Sequence, residues 1–275
     1  MTVRRDEDGI VTATAAPVLT GWAPVEGSEL YYEVAGQGPP LVLVHGGEGT
    51  RIHWWQQVPV LAERFTCVTY DSRGFGASRP GTIPATASFQ RDDLTALMDH
   101  LGFDRATLVG HSMGGAAVSG VAQTWPERVE RLVMSDTAFV FATPALSEWA
   151  AGMIEKITAG FDVLDHAFAP GFAERQPALA HLYRALGRLN PPRTGPRGLD
   201  AYERWRDQPP VDYRSFAVPT LFIVGTEDEL TEPWLIRATA AAVGGAQLVE
   251  IPGAGHSAYA EQAAAFNEAV LSFCA

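Results

Sequence analysis

Cysteine is scarce in this chain: there are two, Cys67 and Cys274, without C-x-x-C spacing. That rules against a disulfide framework and a cysteine-ligated zinc site, and both thiols read as reduced and structural. Positive charge is also short. Twenty Lys and Arg stand against 32 Asp and Glu, a formal net charge of −12, which argues against nucleic acid or an anionic membrane as partner. The opening MTVRRDEDGIVTATAAP lacks the roughly 7–15-residue apolar core of a secretory signal. A cytoplasmic protein is expected, acting on a small molecule and not partnering nucleic acid or a membrane. Internal repeats and low-complexity tracts are missing. One further absence is deceptive: no Asp, Glu, Lys or Arg occurs between Arg105 and Glu127. The stretch imitates a membrane span, but His111, Gln123 and a cluster of glycines sit in its middle.

What is present suits a sizeable core. With 275 residues, 47% of them hydrophobic, the chain is long enough for one large α/β domain. Residues 1–20 read as a flexible arm. Short apolar runs at 41–44, 65–70, 107–109, 129–135, 219–224 and 246–251 read as strands buried on both faces. Between them lie helical segments at 53–64, 88–101, 116–125 and 232–243, and residues 261–273 form a last helix. In 88–101, Leu94, Leu97, Met98 and Leu101 recur at helical spacing, and Gly102 stops the run. Strand and helix alternate from 41 to 135 and again from 217, as in right-handed βαβ units. Over 138–216 the alternation fails. Helical pieces at 146–160, 163–168, 177–189 and 199–206 read as an insertion.

The deceptive stretch carries the chemistry. Gly110-His111-Ser112-Met113-Gly114 follows an apolar strand and precedes a small-residue helix, the context of a nucleophile elbow. A serine hydroxyl needs a base, and a base needs a carboxylate to fix its tautomer. His256, in the glycine-rich loop 252–256 after the last strand, is the candidate base. Asp228, in Gly225-Thr226-Glu227-Asp228, is the candidate acid, with Glu227 and Glu229 facing solvent; Asp136, ending the strand after the elbow helix, is its rival. The Met113 N–H at the start of a helix supplies one oxyanion donor. A second comes from His45-Gly46-Gly47, with Gly47 preferred over Gly46. Trp54, His111, Phe139 and Trp149 are candidate substrate contacts. Phe141, Phe161 and Phe168 add to the apolar face of the insertion.

Taken together, HGGEG at 45–49, DSRGFGAS at 71–78, GHSMGG at 110–115, GTED at 225–228 and GAGH at 253–256 resemble the α/β-hydrolase fold superfamily. The order Ser112, Asp228, His256 is that superfamily's order. The resemblance covers nearly all of 21–275 outside the insertion. It implies an eight-stranded, mostly parallel sheet whose second strand is antiparallel, with helices on both faces. It also implies a core of 21–137 and 217–275 and a helical cap over 138–216. Asp71 and Arg73 become an ion-paired loop scaffold. Within the superfamily the chain resembles small bacterial lid-bearing hydrolases: esterases, lactonases and serine C–C hydrolases. HGGEG departs from the HGxGPG of C–C hydrolases and the HGGPG of proline iminopeptidases, and Ser257 stands where C–C hydrolases carry an aromatic. The expected function is a serine hydrolase acting through an acyl-enzyme on an ester or lactone of a small, largely apolar substrate, without metal or organic cofactor. Alternatives on the same triad are C–C cleavage of a diketone, acyl transfer or a lyase reaction; a ligand-binding receptor of this fold is the non-enzyme alternative. The sequence leaves the oligomeric state open, a homo-oligomer included.

Overall fold

A computed structural model of the chain describes residues 2–5, 11–14, 18–81, 87–138, 141–161, 165–191 and 212–275. Two short strands, β1 (Thr2–Arg5) and β2 (Val11–Thr14), pair antiparallel within the segment expected to be a flexible arm. The main sheet holds eight strands: β3 (Leu19–Val25), β4 (Ser28–Ala35), β5 (Pro40–Val44), β6 (Thr66–Tyr70), β7 (Ala106–His111), β8 (Val129–Ser135), β9 (Thr220–Gly225) and β10 (Gln247–Ile251). Their spatial order is β10-β9-β8-β7-β5-β6-β4-β3. β4 runs antiparallel to both its neighbours and the remaining pairings are parallel, as the motifs implied.

The apolar strands are continuous rather than alternating because both faces are covered. Val42, Val44, Leu108, Leu132, Met134 and Phe222 point into one buried cluster, and Leu41, Leu43, Val109, Val133, Leu221 and Ile223 into another. Helices α2 (Ala87–His100), α3 (Gly114–Thr124) and α7 (Pro233–Ala242) cover the first face. Every residue of α3 from Gly114 to Ala122 is buried. That burial explains the charge-free run: small side chains let the helix lie close on the central strands. Among the described residues no helix is long and apolar enough to cross a membrane.

The second face is covered by a 3₁₀ turn (Arg51–Trp54), α1 (Val58–Leu61), α8 (Ala258–Glu261) and α9 (Ala263–Phe273). The continuous helix expected over 53–64 is thus two short pieces, whereas the last helix, expected over 261–273, runs from Ala263 to Phe273 and is preceded by the short α8. Phe266 and Val270, four residues apart on α9, are fully buried. In the insertion lie α4 (Pro144–Thr158), α5 (Phe172–Arg175) and α6 (Pro177–Gly187). Residues 165–168 follow turns instead of the expected helix. The helix expected over 199–206 lies outside the described residues. Thr143 caps α4 by accepting the Leu146 N–H at 3.2 Å, and Pro144 at the first helical position costs no hydrogen bond.

The strand order reverses between β5 and β7. Chain connections leave these neighbours in opposite directions, so a crevice opens beyond their carboxyl ends. The loops after β5 and β7 therefore meet at one place.

Candidate active site

The elbow sits at that crevice. Ser112 has φ +49°, a left-handed conformation that costs a non-glycine residue free energy and persists only where its surroundings enforce it. Its N–H donates to Ser135 O at 3.0 Å, and its carbonyl accepts Gly115 N–H at 2.9 Å. The flanking glycines answer to close packing. A Cβ on Gly110 would lie 2.5 Å from Val118 Cγ2, and one on Gly114 would lie 2.5 Å from Val44 O.

His256 Nε2 lies 2.9 Å from Ser112 Oγ, and its Nδ1 lies 2.9 Å from Asp228 Oδ2. Asp228 Oδ1 accepts the N–H groups of Leu230 at 2.8 Å and Thr231 at 2.9 Å. With the carboxylate as acceptor, Nδ1 is the donor of that pair and Nε2 is left as acceptor for the serine hydroxyl. Asp228 is 3% and His256 7% exposed, which keeps water from competing for these bonds. Glu227 and Glu229 are exposed, as expected. To reach Ser112, the loop after β10 crosses the ends of β9 and β8, three strand spacings or about 14 Å.

Asp136 does not reach His256 in this way. Its Oδ1 accepts Gly225 N–H at 2.9 Å and its Oδ2 accepts the Ser135 hydroxyl at 2.8 Å. Burial, then the nearby charge of Asp228, holds its carboxyl well above the usual range. The structure therefore brings Asp228, and not the rival, to the histidine.

Beside the elbow runs the 45–49 loop. A Cβ on Gly47 would stand 3.9 Å from Met113 Cβ, whereas one on Gly46 would stand 2.6 Å from His111 Nδ1 and 3.2 Å from Ser112 Cβ. Gly47 thus faces Met113, and Gly46 lies against the elbow itself. His45 ties this loop to its neighbour. Its Nδ1 donates to Gly46 O at 2.7 Å and its Nε2 accepts Ser72 N–H at 2.9 Å.

The candidate substrate contacts fare differently. Trp54 is 1% exposed and packs on Tyr259 with ring centroids 4.6 Å apart; it is a core residue, because the 3₁₀ turn carrying it points into the second face of the sheet. His111 is buried behind the histidine loop, where its Nε2 donates to His256 O at 2.8 Å. Its pKa is held well below the usual value, first by burial and then by His256, so the ring stays neutral. Trp149 is 7% exposed and its indole N–H donates to Leu230 O at 2.9 Å, which moors α4 to the acid loop. Phe139 lies outside the described residues. Phe141 is fully buried in the core, and Phe168 packs with Phe172 and Ala180 within the insertion.

The scaffold loop is ion-paired, but not between Asp71 and Arg73. Asp71 binds Arg51 at 2.7 Å, and Arg73 binds Asp93 at 2.6 Å. Arg51 is thereby part of the scaffold. Glu261 is a residue the sequence offered little reason to single out. Its carboxylate accepts Gly255 N–H at 2.9 Å and Ala169 N–H at 3.0 Å. A glutamate five residues beyond the histidine, facing a glycine loop, was the available signal.

Sheet order, elbow and loop positions together define an α/β hydrolase. The alpha/beta hydrolase fold family matches residues 39–263, and the chain belongs to it. A hydrolase from Pseudomonas aeruginosa PA01 shares 30% identity, with 93% of this chain and 98% of that one covered and a TM-score of 0.76. The enol-lactonase from Burkholderia xenovorans LB400 shares 28% identity over 92% of this chain and 99% of its own, with a TM-score of 0.72. The soluble epoxide hydrolase of Corynebacterium sp. (strain C12) is 35% identical over 114 residues, 42% of this chain and 40% of that protein. This chain's match therefore spans less than half the length of that relative.

Proposed function

We propose that the protein is a serine hydrolase that cleaves a carboxylic ester or lactone of a small, largely apolar substrate. The observation that carries this reading is the unbroken chain from Ser112 Oγ through His256 to Asp228, both links 2.9 Å. Ser112 Oγ attacks the carbonyl carbon while His256 Nε2 takes its proton. Asp228 holds the imidazole in the accepting tautomer and stabilises the imidazolium that forms. The N–H groups of Met113 and Gly47 receive the oxyanion. Collapse of the tetrahedral intermediate expels the alkoxide, which takes the proton from His256. Water, deprotonated by the same nitrogen, then attacks the acyl-enzyme, and the carboxylic acid leaves with Ser112 restored.

In this reading residues 138–216 are the cap over the acyl group, and the substrate is met in the cytoplasm. Likeness to an enol-lactonase supports the lactone as readily as the open-chain ester, since both present the same carbonyl to the serine. Nitrophenyl esters and lactones assayed on the purified protein test the proposal. Turnover in the wild type, a fluorophosphonate adduct on Ser112, and a loss of about 10⁴-fold or more in Ser112→Ala are expected. A folded wild type that neither turns over any member nor takes up the fluorophosphonate would sink it. Added alcohols and thiols, with product analysis, separate hydrolysis from acyl transfer.

A further inference from the structure

The glycines of the 45–49 loop allow close approach to the elbow, but they also leave its backbone soft. Something outside the loop has to hold it. Gly46 O accepts the Gly49 N–H at 3.0 Å, and Arg51 N–H donates to Asp71 Oδ1 at 2.7 Å. Between these anchors lie the carbonyls of Glu48 and Gly49. Asn190, three residues past the end of α6, takes both: its Nδ2 donates to Glu48 O at 3.0 Å and Gly49 O at 3.1 Å. Its Oδ1 accepts Gly76 N–H at 2.8 Å, so the same amide joins the scaffold loop. One turn upstream, a Cβ on Gly187 would come 3.1 Å from Glu48 O. The end of α6 is thus pressed against the loop that carries Gly47.

We propose that Asn190 is a positioning residue for the oxyanion hole. By gripping two successive carbonyls from the cap, it fixes the Glu48–Gly49 and Gly49–Thr50 peptide planes. The first carries the N–H that Gly46 O accepts, and Gly46 C=O shares its plane with the Gly47 N–H. The inference rests on the reading of Ser112 as an acylated nucleophile. It adds that the cap helps to set the transition-state geometry as well as to cover the substrate.

Asn190→Asp isolates the donor half of the amide. It keeps an oxygen for Gly76 N–H, but turns an anionic acceptor towards the two carbonyls. Hydrolysis of a nitrophenyl ester, inhibition by a trifluoromethyl ketone of matching acyl group, and Tm are measured for wild type, N190D and G187A. The expected pattern is a kcat lowered about tenfold or more with KM within about threefold, and ketone affinity weakened by the same factor. G187A disturbs the same contact by bulk and gives the readout if N190D fails to fold. A folded variant with unchanged kcat, or with a lower kcat and undiminished ketone affinity, overturns the inference. Absence of wild-type turnover and labelling defeats the hydrolase reading instead, so the two failures are distinct.

Discussion

Asp136 and Asp228 stand at the ends of adjacent strands, and both carboxyls are buried. What separates them is the company of their oxygens. Asp228 accepts two backbone N–H groups on Oδ1 and keeps Oδ2 for His256. Asp136 spends both oxygens on Gly225 and Ser135, and it sits at φ +50° beneath the acid loop it holds. If Asp228 orients the base, Asp228→Asn lowers kcat/KM on the order of 10⁴-fold, because the amide favours the wrong histidine tautomer. Asp136→Asn stays well under about 10²-fold, the lower range for a general acid–base group. Ester kinetics on the two variants, with circular dichroism to confirm folding, decide between them. Sequence position could rank the two aspartates but not separate them, since each follows a strand and either loop could reach the histidine.

Glu261, closing α8, joins three elements: the loop after β10, the insertion through Ala169, and α8 itself. Burial pushes its carboxyl up to about 7, against the N–H groups of Ala169, Gly255 and Ser257, which favour the charged form; the Asp228 charge raises it further. Asp136 and the Tyr183 hydroxyl also face it. A carboxyl raised above its unfolded value binds its proton more tightly in the folded state. Its contribution to stability is fully present below about pH 4.5 and is lost as pH rises to about 7. Glu261→Gln removes that titration, so the Tm of wild type minus that of the variant falls between pH 5 and pH 8. A difference independent of pH would refute this account. The neighbouring elements differ in how far they could be anticipated. β8 and the elbow helix follow from local composition, whereas the bonds of Glu261 to Ala169 and Gly255 join segments that local pattern does not relate.

Across the whole molecule, buried ion pairs tie loops to helices. Arg73 meets Asp93 of α2 through two bonds, 2.9 Å and 2.6 Å, with side chains 1% and 4% exposed. Asp93→Ala strips the carboxylate from a buried guanidinium, which costs about 3–5 kcal/mol. A urea-unfolding midpoint lowered accordingly is expected, and an unchanged midpoint would show the pair to be dispensable. The sequence by itself determined β5 to β10, the elbow, and the order of serine, acid and histidine. Each is a short-range pattern: buried strands must be apolar, a tight turn must have glycine, and motifs lie at strand ends. Only the tertiary structure decided which aspartate meets His256, that Trp54 belongs to the core, that Asp71 and Arg73 pair elsewhere, and that Asn190 grips a loop 141 residues away in sequence. Those outcomes depend on sheet order and on backbone groups brought together across it. Ser112 is therefore a local fact of the chain, while the set of bonds that orients its partners is a property of the fold.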